Sequence, residues 1–412
     1  MSFRITTNGL LRNYRNNLYD NTSKVNKRME QVQSGRTFSS YAEDPAAASQ
    51  AFQLRRNFWR TGNQIDNTDH VISKFQTGWD ALDAIIEGDG DTNRGLNGIN
   101  SALRASSGAI GSARVTLGTD LKTTADSISF LMNTRYGEEY VFAGADGLNV
   151  PFTDDENGNL LYRGVRVDAP QPMTAEQFSA AKTENADSVK DFADYTAYRE
   201  NYVDTYVAAK VMKKDANGND EVDYEKSLQK ASLRFNEATY VDIGLGFRSD
   251  ANEELITATA FNSALSGLDF LGYGVDEDGN PKNIVSLMRE LGTLYNSADP
   301  STGDYQSYTY NGKEYTAEEA QERAYTLTKK LYSAIERVSE KHVELDSKTK
   351  YLKDNKLQLE TTQYTLNEQI NDTESMPMAE AILQMSWAQY CYNAALQIGS
   401  RILSQSLIDY MR

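Results

Sequence analysis

Residues Leu331–Leu366 read LYSAIERVSEKHVELDSKTKYLKDNKLQLETTQYTL. Leu331, Val338, Leu345, Leu352, Leu359 and Leu366 stand at strict seven-residue steps, the spacing that keeps one edge of an α-helix turned toward one neighbour. Neither Pro nor Gly interrupts the chain from Thr316 to Met376, so one very long helix is expected; the leucine line alone would extend about 54 Å at about 1.5 Å per residue. The second seam, Ile335, His342, Thr349, Lys356, Gln363 and Ile370, is much less apolar. An isolated two-stranded coiled coil would be weak, and the leucine line is expected to pack inside a larger bundle.

Partners for that line lie upstream. Pro45 opens a segment in which Ile65, Ile72, Phe75, Trp79, Leu82 and Ile86 recur at helical steps, and Pro suits a first helical turn. After a turn at Gly88-Asp89-Gly90-Asp91, the residues Leu96, Ile99, Leu103, Ile110, Leu117, Leu121, Ile128 and Leu131 repeat the pattern, which predicts an antiparallel helical hairpin over 45–135. Both chain ends add apolar stripes. Leu11, Leu18, Val25 and Val32 are seven apart, with Tyr14 and Met29 beside them, and the stripe stops at Ser34-Gly35. After Pro377, Met378, Ala381, Met385, Tyr392, Leu396, Leu403, Leu407 and Tyr410 mark a last amphipathic helix. Termini are usually frayed and polar, so two matched stripes point to pairing with each other or with neighbouring subunits.

The middle reads differently. Tyr140–Gly144, Pro151–Thr153 and Leu160–Val167 look like short strands, the last two joined across Asn157-Gly158. Residues 169–282 mix helical stretches such as Ala197–Lys213 with Asn/Asp/Gly turns; Ile284, Met288, Leu291 and Tyr295 restore the helical signal before a Gly- and Tyr-rich pause at 297–315. The expected architecture is mainly α: an elongated bundle of long antiparallel helices formed by both termini, with an α+β domain inserted in the middle. Its parts are a terminal assembly region, 1–40 with 377–412; a helical rod, 41–150 with 283–376; and an inserted surface domain, 151–282.

Composition narrows the function. The 412 residues carry 42 Lys and Arg against 59 Asp and Glu, a net charge of -17, which disfavours nucleic acid and anionic membrane surfaces. No run approaches the length of a membrane-spanning helix, and the N-terminus lacks the basic-then-apolar order of a signal peptide. One cysteine, Cys391, excludes an intrachain disulfide, and two histidines, His70 and His342, leave little for a zinc site. No G-x-S-x-G or H-E-x-x-H occurs. His70 and Cys391 as base and nucleophile have no reason to be adjacent, and a structural thiol is the simpler reading. Asp154–Gly158, Asp215–Asp220 and Asp276–Asn280 look superficially like calcium loops but lack the Gly and Glu spacing of an EF-hand, so they read as turns. No catalytic, cofactor or metal residue is assigned. The 25 tyrosines suit either protein-facing surfaces or aromatic bundle borders.

Several short motifs then carry a resemblance. Ile5-Thr6-Thr7-Asn8-Gly9-Leu10, Ser34-Gly35-Arg36 and Glu43-Asp44-Pro45-Ala46 lie near the start; Asn67-Thr68 to Trp79-Asp80-Ala81-Leu82 follows. Tyr140–Gly144 with Pro151-Phe152 comes next, and Ala379-Glu380-Ala381, Tyr392–Gln397 and Ser406–Met411 lie near the end. Over 1–152 and 283–412 the chain resembles the bacterial flagellin-like proteins, and in the Phe142…Pro151-Phe152 segment and the Ser406–Tyr410 ending the hook–filament junction members more than filament subunits. Glu43 and the stretch Ser375–Met378 depart from the family pattern. The resemblance implies a non-enzymatic structural subunit of the flagellum, outside the cell, exported by the flagellar type III apparatus without a cleaved signal. It implies self-assembly, contact with the first hook-associated junction protein and with flagellin, and a cytoplasmic export chaperone. The assembly interface is expected at Leu11, Leu18, Val25, Val32, Met385, Tyr392, Leu396, Leu403 and Leu407, and end helices without partners would stay largely unfolded until neighbours bury them.

Overall fold

The computed structural model describes residues 7–88, 95–105, 112–184, 186–214, 219–234, 237–250 and 254–410. The expected turn at 89–91, Ile110 and most of the loop at 215–220 lie outside the described residues. Helices dominate: α1 (Thr7–Ser34), α2 (Pro45–Glu87), α3 (Leu96–Ala105) and α4 (Ser112–Leu131) precede the middle, where α5 (Ala175–Thr183), α6 (Tyr195–Tyr206), α7 (Tyr224–Leu233) and α8 (Gly267–Leu271) are short; α9 (Ile284–Asn296), α10 (Ala317–Glu374) and α11 (Met378–Tyr410) complete the chain. Contacts divide the chain into two compact units. One takes residues up to Ile65 and from Leu357 onward, the other Asp66–Lys356.

In the Asp66–Lys356 unit the leucine line behaves as its spacing requires. Leu331, Val338, Leu345 and Leu352 are buried, α2 supplies Val71, Phe75, Leu82 and Ile85 to the same core, and His342 stacks on Trp79 at 4.7 Å. The capping residues explain where α10 begins: the amide of Glu319 donates to Thr316 Oγ1 (3.4 Å) while the Thr316 amide donates to the Glu319 carboxylate (2.8 Å), a reciprocal pair that satisfies two first-turn donors. A partner that the heptads left unnamed is α9. It packs chiefly on α4, where Gly118 and Gly292 face each other so closely that a Cβ on Gly292 would meet the Gly118 carbonyl oxygen at 2.7 Å. Toward α10 it presents Glu290, buried and bonded to Arg323 and to the Tyr308 hydroxyl (3.4 Å); burial pushes this carboxyl above its usual range against the pull of Arg323.

Small antiparallel sheets occupy the middle. A hairpin of β1 (Arg135–Tyr136) and β2 (Glu139–Tyr140) pairs Arg135 with Tyr140. Then β3 (Phe152–Asp154), β4 (Leu160–Tyr162) and β5 (Val165–Arg166) form a three-stranded sheet with Thr153 opposite Leu161 and Tyr162 opposite Val165. Two-stranded pairs follow: β6 (Met212–Lys214) with β7 (Asp220–Val222), β8 (Tyr240–Val241) with β9 (Phe261–Asn262), and β10 (Tyr308–Tyr310) with β11 (Lys313–Tyr315). The turn at Asn157-Gly158 joins β3 to β4 as the sequence predicts.

Three expectations about the middle need correction. Only Tyr140 of Tyr140–Gly144 is in a strand; Phe142 and Ala143 are buried, and the Phe142 carbonyl accepts from the Gly267 amide (2.9 Å) and the Tyr162 hydroxyl (3.2 Å). Long-range partners replace a ladder there. The helix expected over Ala197–Lys213 ends at Tyr206, because Val207 bridges Val165 and the Gly164 carbonyl accepts from the Ala208 and Ala209 amides (2.9 and 3.1 Å). No Gly or Pro announces that stop. Finally, the pause at 297–315 contains the β10–β11 hairpin, with the Tyr308 and Tyr315 rings stacked at 4.9 Å. Helices α5, α6 and α7 enclose a second core of Phe178, Val189, Tyr198, Tyr202, Val203, Leu228 and Ala231.

The acidic loops are turns whose carboxylates hold backbone. Asp155 Oδ1 accepts from the amides of Asn157 and Asn159, both at 2.8 Å, and Asp276 Oδ1 from those of Asp278 (3.0 Å) and Asn280 (2.8 Å), with Lys330 on Oδ2. Burial would raise the Asp276 carboxyl, but the bonds from Lys330 and Asn280 outweigh it and hold it below its usual range. A carboxylate depressed in the folded state stabilises above its unfolded pKa of about 3.9 and loses that contribution as pH falls through the folded value. Asp276→Asn is therefore expected to lower the unfolding temperature at neutral pH and to leave wild type and variant converging below about pH 4, as thermal unfolding across a pH series would record.

Candidate assembly interface

The unit formed by both chain ends is built on the pairing of α1 with α11. Tyr14, Leu18, Asn21, Val25, Arg28 and Val32 on α1, and Met385, Ala388, Tyr392 and Ala395 on α11, are half-buried, and Ala381 and Gly399 are buried, in alternating steps of four and three on each helix. The helices run antiparallel: the Tyr14 hydroxyl sits where a Cβ of Gly399 would stand, while at the other end Met376 N donates to the Gly35 carbonyl (3.0 Å). Small residues on α11 receive larger ones from α1, which lets the two backbones approach.

The corner that sets this register is made by the motif residues. Gly35 turns with φ +68, a left-handed conformation that glycine adopts without penalty. Arg36 bridges Ser375, the Thr37 amide donates to the Glu374 carbonyl (2.7 Å), and Gln31 Nε2 donates to the Thr37 carbonyl (2.5 Å). Asp44 caps α2 by accepting from the Ala47 amide (3.0 Å) just ahead of Pro45, and Arg55 clasps Glu374 with two nitrogens. In the stretch Ser375–Met378, where the chain departs from the family pattern, Ser375 makes the bridge that ends α10, Met376 bonds Gly35, and Met378 opens α11.

The sequence-derived interface residues divide among several environments. Leu18, Val25, Val32, Met385 and Tyr392 are half-buried along the α1–α11 seam, and Leu396 is 42% exposed. The side chains of Leu11, Leu403 and Leu407 lie outside the described residues. Of the small residues on the packed side of α11, the apolar stripe read from the sequence includes Ala381 but not Ala388, Ala395 or Gly399, whose spacing of three and four is the signal for them. The sequence reading also passed over an outward stripe on α11: Ile382, Leu383, Trp387, Tyr390 and Ile398 are exposed, with Trp387 and Tyr390 edge to face at 6.3 Å. A helix apolar on both its packed and its open sides is one that expects further neighbours.

Chemistry is sparse. Among the described residues no cluster of three His, Cys, Asp or Glu could hold a metal ion, and no helix is long and apolar enough to cross a membrane. His70 packs edge-on against Tyr136 (5.3 Å), and Cys391 is exposed on α11.

Comparison with known proteins places the first part of the chain. Two solved structures are similar: one described as a flagellar hook-associated protein of Vibrio parahaemolyticus, 13% identical with a TM-score of 0.45, covering 81% of this chain and 100% of that one, and Xanthomonas campestris FlgL, 15% identical with a TM-score of 0.39, covering 77% and 99%. No curated protein sequence matches. Residues 5–146, which run from α1 through β2, match the family profile of the bacterial flagellin N-terminal helical region, so this part of the chain is a flagellin-type N-terminal region.

Proposed function

We propose that the protein is a structural subunit of the bacterial flagellum that joins hook to filament, as flagellar hook-associated protein 3 does. The observation that carries the flagellar reading is the flagellin-type region at 5–146, whose α1 packs on an α11 that leaves Trp387, Tyr390 and Ile398 uncovered. In this reading the terminal region, 1–40 with 377–412, meets neighbouring copies, the first hook-associated junction protein and flagellin; 41–150 with 283–376 is the rod, and 151–282 faces solvent outside the cell. A flagellar export chaperone would cover the C-terminal stripe before assembly, and export needs no cleaved signal. The junction assignment over a bulk filament flagellin is supported by the Phe142…Pro151-Phe152 motif and the Ser406–Tyr410 ending. Quantitative mass spectrometry of sheared, purified flagella tests it. A trace level that follows hook number is expected. Abundance equal to the main filament subunit would make it a filament flagellin, and absence from flagella would return it to a helical adaptor inside the cell.

A further inference from the structure

Two stretches of the end unit are charged with opposite sign. Between Pro45 and Ile65, α2 carries three arginines and no acid, although the whole chain has a net charge of -17; between Leu357 and Glu374, α10 carries four acids and no Lys or Arg. The helices run antiparallel here: Arg55 clasps Glu374, and a Cβ on Gly62 would meet Gln363 Nε2 at 3.0 Å. That contact leaves a stripe open on each. Phe52, Arg56, Trp59 and Asn63 on α2, and Leu357, Thr361, Tyr364 and Glu368 on α10, are exposed at successive steps of four, three and four. Trp59 is 69% and Tyr364 64% exposed, and neither Arg56 nor Glu368 has an ion-pair partner among the described residues. Large aromatic surface left open in a continuous stripe marks a place where another protein surface fits.

We propose that the α2 stripe of one copy of this chain packs on the α10 stripe of a second copy. Pairing of like stripes would set Arg56 against Arg56 or Glu368 against Glu368, and like charges brought together across an interface are costly. The unlike pairing also has a register. Copies that point the same way keep α2 antiparallel to α10 across the contact. Two helical turns on from Arg56 is Asn63, two turns back from Glu368 is Thr361, and Trp59 and Tyr364 stand between them. The alignment that sets Arg56 on Glu368 therefore sets Trp59 on Tyr364. Trp, Tyr and Arg are the residue types that carry most binding energy between proteins, and Phe52 and Leu357 extend the apolar area toward the ends. This surface lies outside the terminal region, 1–40 with 377–412, so it is a second contact between copies, and it requires no other flagellar component.

Sedimentation velocity on the purified full chain, over a concentration series, tests this contact apart from the flagellar reading, which is tested by abundance in flagella. Wild type is expected to self-associate. Arg56→Glu and Glu368→Arg are each expected to weaken that association roughly tenfold or more, and Trp59→Ala roughly thirtyfold. An equimolar mixture of Arg56→Glu with Glu368→Arg is expected to restore it, because each variant then meets the opposite charge on the other. Both positions are exposed, so neither change disturbs the fold, and a merely structural role could not be rescued by mixing. A chain that stays monomeric at every concentration, single variants that associate as wild type does, or a mixture that associates no better than either variant alone would overturn the proposal.

Discussion

Trp387→Asp and Leu396→Asp are expected to leave a folded monomer and to abolish its incorporation into flagella, whereas Leu18→Asp is expected to loosen the monomer itself. The difference follows from what each side chain touches. Trp387 is 63% exposed and Leu396 open to solvent, so a carboxylate at either position costs the isolated chain little. Covering the open part of an indole of ~150–250 Å² returns about 2–4 kcal/mol per subunit at ~25 cal/mol per Å², and a charge buried there instead costs several kcal/mol more. Leu18 is already half-buried on the face that α1 packs against α11, so a charge there is felt before any neighbour arrives. Circular dichroism and amide exchange on the monomer, beside copy number in sheared flagella, separate the two classes. Incorporation of Trp387→Asp at wild-type level would remove the α11 stripe from the interface.

That contrast shows how far the sequence could be read. The long helices were legible, because α2, α10 and α11 announce themselves by Pro45, by a capping Thr316, by Pro377 and by apolar spacing that nothing interrupts. Which side of α11 faces its own chain was not, since Met385 and Leu396 look equally apolar in one dimension and only the small residues Ala381, Ala388, Ala395 and Gly399 separate the packed side from the open one. In the middle, decisions are made by distant partners. Val207 leaves its helix for Val165, Phe142 leaves its strand for Gly267, and neither signal is local. The motif Phe142…Pro151-Phe152 has a structural reading that its sequence did not disclose: Phe142 and Phe152 are both buried, the Phe152 ring lies where a Cβ of Gly267 would stand, and Asn133 holds the Phe152 backbone from both sides at 2.9 Å.

The leucine line carries the second large effect. Leu331 is fully buried in a core shared by α2, α4, α9 and α10; truncation removes its transfer free energy and leaves a cavity that helices fixed over so many turns cannot collapse. Leu331→Ala is expected to cost ~2–5 kcal/mol, against roughly 0.5 kcal/mol or less for Val343→Ala on the same helix and in the same unit, where the side chain is exposed. Trp79 reports on the affected unit through its stack with His342, and Trp59→Phe with Trp387→Phe makes it the sole indole of the chain. Because two compact units need not unfold together, the midpoint of the Trp79 transition in urea, and not a single global free energy, is the quantity to compare. A large drop for Leu331→Ala and none for Val343→Ala would show that the seven-residue line is the packing edge of the Asp66–Lys356 unit. Equal shifts would mean that the helix is held by its length and polar bonds, with the leucines contributing no more than any other turn.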